Sequence, residues 1–140
     1  VGVAPMLYTA KYLRNLGFDI DILFGYRTKA HILRPEVYGK YANVFYSTDD
    51  GSFGEKGNVM QNSVFAGDFA YSSIMACGPE PMMRALAKWA VEHNVECEVS
   101  LENKMACGIG ACLCCVQNTN EGHKCVCTEG PVFNVKQLLW

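Results

Sequence analysis

The sequence lacks most features that announce a destination. None of its 140 residues fall in an apolar run approaching the ~18 residues that a membrane-spanning helix needs, so no membrane span is expected. No charged-then-apolar leader opens the chain. The formal net charge is only −2, with no basic run, which removes the electrostatic footprint of nucleic-acid binding. Half of the residues are hydrophobic, too many for a disordered chain, and there is no low-complexity tract, acidic tail or internal repeat. An initiator Met is missing too. The chain opens on Val-Gly-Val-Ala-Pro-Met, in the middle of what reads as a glycine-bearing turn, and is expected to be cut from a longer protein. Its length suits one domain plus a small appendage.

What the chain has is sulfur, unevenly placed. Of eight cysteines, Cys77 and Cys97 stand apart, while Cys107, Cys112, Cys114, Cys115, Cys125 and Cys127 crowd the last third. A secreted disulfide scaffold spreads its cysteines through a small chain with little core. Here the first hundred residues read as an ordinary cored domain. Crowding at one end, without an export signal, predicts a metal site in the reducing cytoplasm.

Hydrophobic patterning predicts an α/β fold. A helix is expected between Pro5, tolerated in a first turn, and Gly17, suited to the C′ position, with Leu7, Ala10, Tyr12, Leu13 and Leu16 on its apolar side. Residues 19–26, 43–48, 71–78 and 95–102 read as strands. From Glu80 onward Met83, Leu86, Ala87, Ala90 and Val91 recur at helical spacing. Strands alternating with helices imply a mostly parallel sheet with helices on both faces. The pattern then turns to glycine, cysteine and short strand-like pieces, which places a boundary near residue 100: a nucleotide-binding domain over 1–100 and a small cysteine-rich domain over 101–140.

Ligands of such sheets bind at the carboxyl ends of the strands, and four strand-end or helix-entry motifs are candidates for NAD. The first is the helix entry carrying Gly2, Ala4 and Pro5, where free N–H groups and the helix dipole favour an anion. The second is Gly25 with Arg27, the latter able to meet a phosphate. The third is Thr48-Asp49-Asp50-Gly51, whose carboxylates can accept ribose hydroxyls and repel a 2′-phosphate, favouring NAD over NADP. The fourth is Cys77-Gly78-Pro79, a small strand end that lets a flat ring approach the backbone. Each alone is an ordinary loop; together they point to a dinucleotide.

Cys107-x4-Cys112-x2-Cys115 is the plant-type iron–sulfur spacing, which needs one more cysteine downstream. Gly108 and Gly110 free the backbone to turn N–H groups toward sulfur. Structural zinc prefers paired Cys-x2-Cys knuckles, and only Cys112 and Cys115 form one. Disulfides do not suit adjacent Cys114 and Cys115, and inert packing does not explain six clustered thiols. A [2Fe–2S] cluster is the reading that fits. Cys114 breaks the spacing; between Cys125 and Cys127 spacing alone does not choose.

Taken together, "VGVAPM", "FGYR", "TDDGSFGEKG", "ACGPEPMM", "SLENKMACGIGACLCCV" and "CTEGPVF" resemble the electron-transfer subunits of NAD-dependent (class B) dihydroorotate dehydrogenases, within the wider ferredoxin–NADP reductase superfamily. The resemblance implies Cys107, Cys112, Cys115 and Cys127 as ligands, with Cys114 and Cys125 as extras. Ala111 favours this system over hydrogenase, sulfide and sulfite reductase relatives, which remain the alternative donors, alongside a zinc-stabilised binding module. It further implies an FMN-containing dihydroorotate dehydrogenase subunit as partner, from which electrons pass through the cluster to FAD and on to NAD⁺, in pyrimidine biosynthesis. The flavin-binding barrel of such subunits is not in this sequence, so the piece alone is expected not to reduce NAD⁺.

Overall fold

A computed structural model describes residues 2–67 and 69–140. The chain divides into two compact units, Gly2–Ala70 and Tyr71–Trp140. Both are mixed α/β.

The first unit begins with helix α1 (Val3–Asn15). Gly17 ends it in the left-handed conformation (φ 89°). The Phe18 N–H reaches the Leu13 carbonyl and the Gly17 N–H the Arg14 carbonyl, both at 3.1 Å, which is the Schellman closure that glycine permits. Strand β1 (Asp21–Tyr26) pairs in parallel with β2 (Asn43–Thr48), and β2 with the two-residue β3 (Glu55–Lys56). Between β1 and β2 lies a single turn of helix, α2 (Pro35–Tyr38). Ala10, Ile22, Phe24 and Tyr38 form the core, flanked by Val3, Met6 and Leu7. Phe24 and Tyr38 meet edge to face with ring centroids 4.8 Å apart, and the Tyr38 hydroxyl donates to the Val3 carbonyl. The helix therefore turns Val3, Met6, Leu7 and Ala10 inward, while Tyr12 and Leu16, read from sequence as part of its apolar side, are more than half exposed.

The loop from β2 into β3 is built on contacts that leave no room for side chains. Gly54 is left-handed (φ 67°), and a Cβ there would lie 2.1 Å from the Tyr46 carbonyl oxygen. Gly54→Ala is expected to cost more than the roughly 1–3 kcal/mol of left-handed backbone strain alone. Gly17→Ala, where a Cβ would meet nothing within 4 Å, is expected to show only that strain. Urea unfolding of the two variants side by side checks the difference.

The second unit holds β4 (Ser73–Cys77), α3 (Glu80–Glu92), β5 (Glu96–Ser100), β6 (Val116–Thr119), β7 (Gly122–Cys125), α4 (Val126–Glu129) and β8 (Val132–Asn134). Strand β5 is central: β4 lies parallel on one side and β8 antiparallel on the other. Met83, Leu86, Ala87 and Ala90 of α3 are buried as their spacing predicts, but Val91 is 56% exposed, beyond the edge of the buried stripe. Phe133 packs beneath β5 at the Val99 register position, and Glu96 holds β8 through Asn134 and Lys136. Strands β6 and β7 form a separate antiparallel hairpin.

The described residues thus form two three-stranded sheets, the first all parallel and the second carrying one antiparallel strand. That strand, β8, comes from the cysteine-rich end of the chain and completes the sheet that β4 and β5 begin.

Candidate metal centre and nucleotide site

The cysteine-rich segment crosses from β5 into a glycine-bearing loop (residues 102–115), then runs through the β6–β7 hairpin into the turn of α4. Gly108 (φ 70°) and Gly110 (φ 76°) are left-handed, as is Leu113 (φ 57°). These reversals turn a series of N–H groups inward. The Ile109 and Cys112 N–H groups lie 3.5 and 3.4 Å from the Cys107 sulfur. Ile109 foremost, then Cys112, stabilises the thiolate and lowers the Cys107 pKa to about 6. Across the site the Cys127 N–H lies 3.4 Å from the Cys115 sulfur and is the main cause of a lowered Cys115 pKa.

The four candidate ligands thus fall into two pairs. The Cys112 N–H bonds the Cys107 sulfur, and the Cys127 N–H bonds the Cys115 sulfur, each at 3.4 Å. Cys127 is held as the thiol partner, its pKa raised chiefly by its bond to Cys115. Among the described residues no group of three or more His, Cys, Asp or Glu side chains converges as on one metal ion. Two dithiol pairs suit two irons better than one zinc, which asks for four convergent ligands. The donor set, all sulfur, and the N–H groups aimed at it fit an iron–sulfur cluster.

Other residues support this frame. Cys115 is buried at the start of the hairpin; its carbonyl accepts from the Val126 N–H, and Asn103 also reaches it. Val126 is fully buried. Glu129 accepts from the Cys125 N–H at 2.8 Å, capping α4 just ahead of Cys127. Cys114 is exposed. Met105, Ile109 and Leu113 are exposed around the loop.

The strand-end candidates separate into two groups, one in each unit. In the first, Gly2 is the left-handed residue (φ 82°) preceding α1, while Ala4 and Pro5 are exposed in its first turn; Val1 of the same motif lies outside the described residues. Gly25 is explained by packing, because a Cβ there would lie 2.6 Å from Val59. Arg27 is exposed. Thr48 is fully buried, and its hydroxyl both donates to the Phe53 carbonyl and accepts the Phe53 N–H, so it organises the loop. Asp50 is also committed: it accepts the Ser52 hydroxyl and N–H, which lower its pKa. Gly51 makes the left-handed turn between them (φ 74°). Both carboxylates read from the sequence are exposed, and the Ser52 bonds fall on Oδ1 of Asp50 alone. Lys29 and Phe53, which the sequence reading passed over, join this surface, with the Lys29 ammonium 5.7 Å from the Phe53 ring centre.

In the second unit, the Cys77 thiol donates to Glu102 at 3.6 Å and is pushed up in pKa by burial first and by Glu102 second. Gly78 is buried, with Met82 close over the place a Cβ would take, and Pro79 leads into α3. Beside Gly78 lies a small cleft that Glu80, Glu102, Asn103, Gln117 and Trp140 also line. The Trp140 indole N–H is buried without a hydrogen-bond partner, and the Arg84 guanidinium sits 5.5 Å from that ring. No local pattern marks Trp140 in the sequence, because it reaches the cleft only through tertiary folding.

Comparison with known proteins agrees with the geometry. Residues 102–139 match the iron–sulfur cluster binding domain of dihydroorotate dehydrogenase B. The electron transfer subunit of dihydroorotate dehydrogenase B (NAD⁺) from Clostridium acetobutylicum is 42% identical over 140 residues, covering 99% of this chain and 54% of that protein. The subunit of that name from Caldanaerobacter subterraneus is 37% identical, covering 100% and 56%. The probable electron transfer subunit from Archaeoglobus fulgidus is 37% identical, covering 100% and 59%. The chain spans about half the length of the curated relatives it matches. Among solved structures, that of an NADH-dependent reduced ferredoxin–NADP oxidoreductase superposes with a TM-score of 0.84 at 27% identity, covering 100% of this chain and 51% of the other. The chain is therefore similar, along its whole length, to part of the dihydroorotate dehydrogenase B electron-transfer subunits, and its residues 102–139 match the domain described as binding their iron–sulfur cluster.

Proposed function

We propose that this chain relays single electrons between a flavoprotein partner and a nicotinamide nucleotide, through a [2Fe–2S] cluster on Cys107, Cys112, Cys115 and Cys127. The observation that carries the reading is the sorting of these four thiols into two pairs, each with a backbone N–H aimed at sulfur. When bound, such a cluster supplies one-electron redox chemistry, which suits exchange between two flavins that each handle electron pairs. The chain's own contribution is to keep one sulfur of each pair readily deprotonated, to hold the pairs on a hairpin rooted by Val126, and to aim N–H dipoles at developing negative charge.

The division of labour follows the sequence reading: residues 1–100 serve the nucleotide and 101–140 the cluster, on a reductase-type parallel sheet covered by helices. In the first unit the candidates for NAD are Asp49 for the adenosine ribose and Gly2 and Arg27 for phosphate; in the second, Gly78 and Pro79 are the candidates for the ring or pyrophosphate edge, with the unpaired Trp140 N–H beside Gly78. FAD belongs to the longer subunit. The partner is an FMN-bearing dihydroorotate dehydrogenase subunit, and the exposed apolar residues Ile109 and Leu113 give it a surface beside the cluster loop. The setting is cytoplasmic pyrimidine biosynthesis; among the described residues no helix is long and apolar enough to cross a membrane.

The test is the visible spectrum of protein prepared without oxygen, before and after dithionite, with iron, sulfide and zinc measured on the same sample. Red-brown absorbance that bleaches, with equal iron and sulfide, is expected. A colourless protein that holds zinc and does not take up iron and sulfide on reconstitution overturns the proposal.

A further inference from the structure

Cys125 is the thiol that the spacing leaves unresolved and the paired geometry leaves unused. It ends β7, opposite Val116, two residues before Cys127. Its sulfur lies 3.8 Å from the Gly110 carbonyl oxygen, at the centre of the loop that carries Cys107 and Cys112. The Gly110–Ala111 peptide lies between Ile109 and Cys112, whose N–H groups bond the Cys107 sulfur at 3.5 and 3.4 Å. Fixing that planar unit fixes the turn between the two donors.

We infer that Cys125 is a positioning residue for the cluster: its thiol pins the Gly110–Ala111 peptide, so that the loop N–H groups face Cys107 while the loop is held to the strand leading to Cys127. It ligates nothing. Two further contacts keep it in place from the other side. Glu129 accepts its N–H at 2.8 Å, and the Thr128 hydroxyl donates to its carbonyl at 3.4 Å. Thr128 also stands 3.4 Å from where a Cβ on Gly110 would be, within van der Waals reach of the same junction. Sulfur is a weak donor, so the effect lies in orientation more than in bond strength. Hydrogen bonds to the ligating sulfurs raise a cluster's reduction potential, so loosening them lowers it.

This inference rests on the proposed cluster. The experiment compares the whole chain, reconstituted with iron and sulfide without oxygen, with its Cys125→Ala and Cys125→Ser variants. Cys125→Ala is expected to keep the full iron and sulfide content while its midpoint potential moves lower and its electron-paramagnetic-resonance signal changes. It should also lose iron to a chelator about fivefold faster, the fold-change equivalent to about 1 kcal/mol. Cys125→Ser, which keeps a donor, is expected to retain the wild-type potential and resonance. Iron loss from both variants would make Cys125 a ligand and overturn the inference, as would an alanine variant with unchanged potential, resonance and release rate. If the wild-type chain itself takes up no cluster, the proposed function fails instead.

Discussion

Replacing Cys115 with serine is expected to leave the chain with essentially no iron or sulfide, while the same change one residue earlier, at Cys114, leaves the cluster in place. The two residues are chemically identical and adjacent, so the contrast isolates position. The Cys115 side chain is buried beside the start of the hairpin, and its sulfur takes the Cys127 N–H. Cys114 faces outward. A metal ligand must be deprotonated, and the backbone bonds that ease this for a thiol cannot bring a serine hydroxyl into range. Removing one thiol from a pair also leaves one iron with a single protein ligand. Iron, acid-labile sulfide and visible absorbance read the result, and circular dichroism on the same samples separates ligand loss from unfolding. A Cys115→Ser protein that keeps its colour beside a bleached Cys114→Ser protein would mean the ligand frame is shifted by one residue.

The second large effect lies outside the cysteines. Phe133→Ala is expected to cost about 3–5 kcal/mol, the usual range for emptying a buried phenylalanine site. Phe133 is 4% exposed and lies opposite Val99, itself fully buried, in the β5–β8 pairing. Gly130 is packed against its ring, since a Cβ on Gly130 would lie 2.5 Å from the ring edge. Whole domains are stable by only ~5–15 kcal/mol, so this one side chain carries a large share. A lower urea midpoint is expected, and with it faster cluster loss, because α4 and Cys127 lie just ahead of β8 in the chain. Loss of stability without any change in cluster retention would show that the hairpin holds the ligands unaided.

Much of this molecule is legible in its sequence where the signal is local. The strand at 43–48 and the helix from Glu80 follow from residue spacing alone. Spacing also singles out Cys115 over Cys114, and in the fold Cys115 is buried and accepts the Cys127 N–H while Cys114 is exposed. The misreadings have a common cause. Periodicity marks the inward face of a helix but not its width, so Tyr12, Leu16 and Val91 were placed inside and lie largely outside. The Thr48 hydroxyl meets Phe53 and Asp50 Oδ1 meets Ser52, partners that only the folded turn brings near and no pattern in the sequence announces. The short helical turns at Val59–Gln61 and Ser63–Phe65 are held by Asn58, Asn62 and Glu55, a polar pattern with no hydrophobic period to announce it. The boundary near residue 100 was drawn where composition changes. Composition does not show that β8, more than thirty residues later, returns to lie against β5.

That return has a consequence for anyone who would graft the cysteine-rich segment onto another protein. The segment that sequence families treat as a unit begins at residue 102, just past β5. Transplanted alone, it would bring all six clustered cysteines but not the strand that supports them: Phe133 would lose Val99, and Lys136 and Asn134 would lose Glu96. The donor left behind would present β5 as an open edge, a template for aggregation. The smallest portable piece begins instead at Tyr71, and carries β4, α3 and β5 along with the cysteines they support.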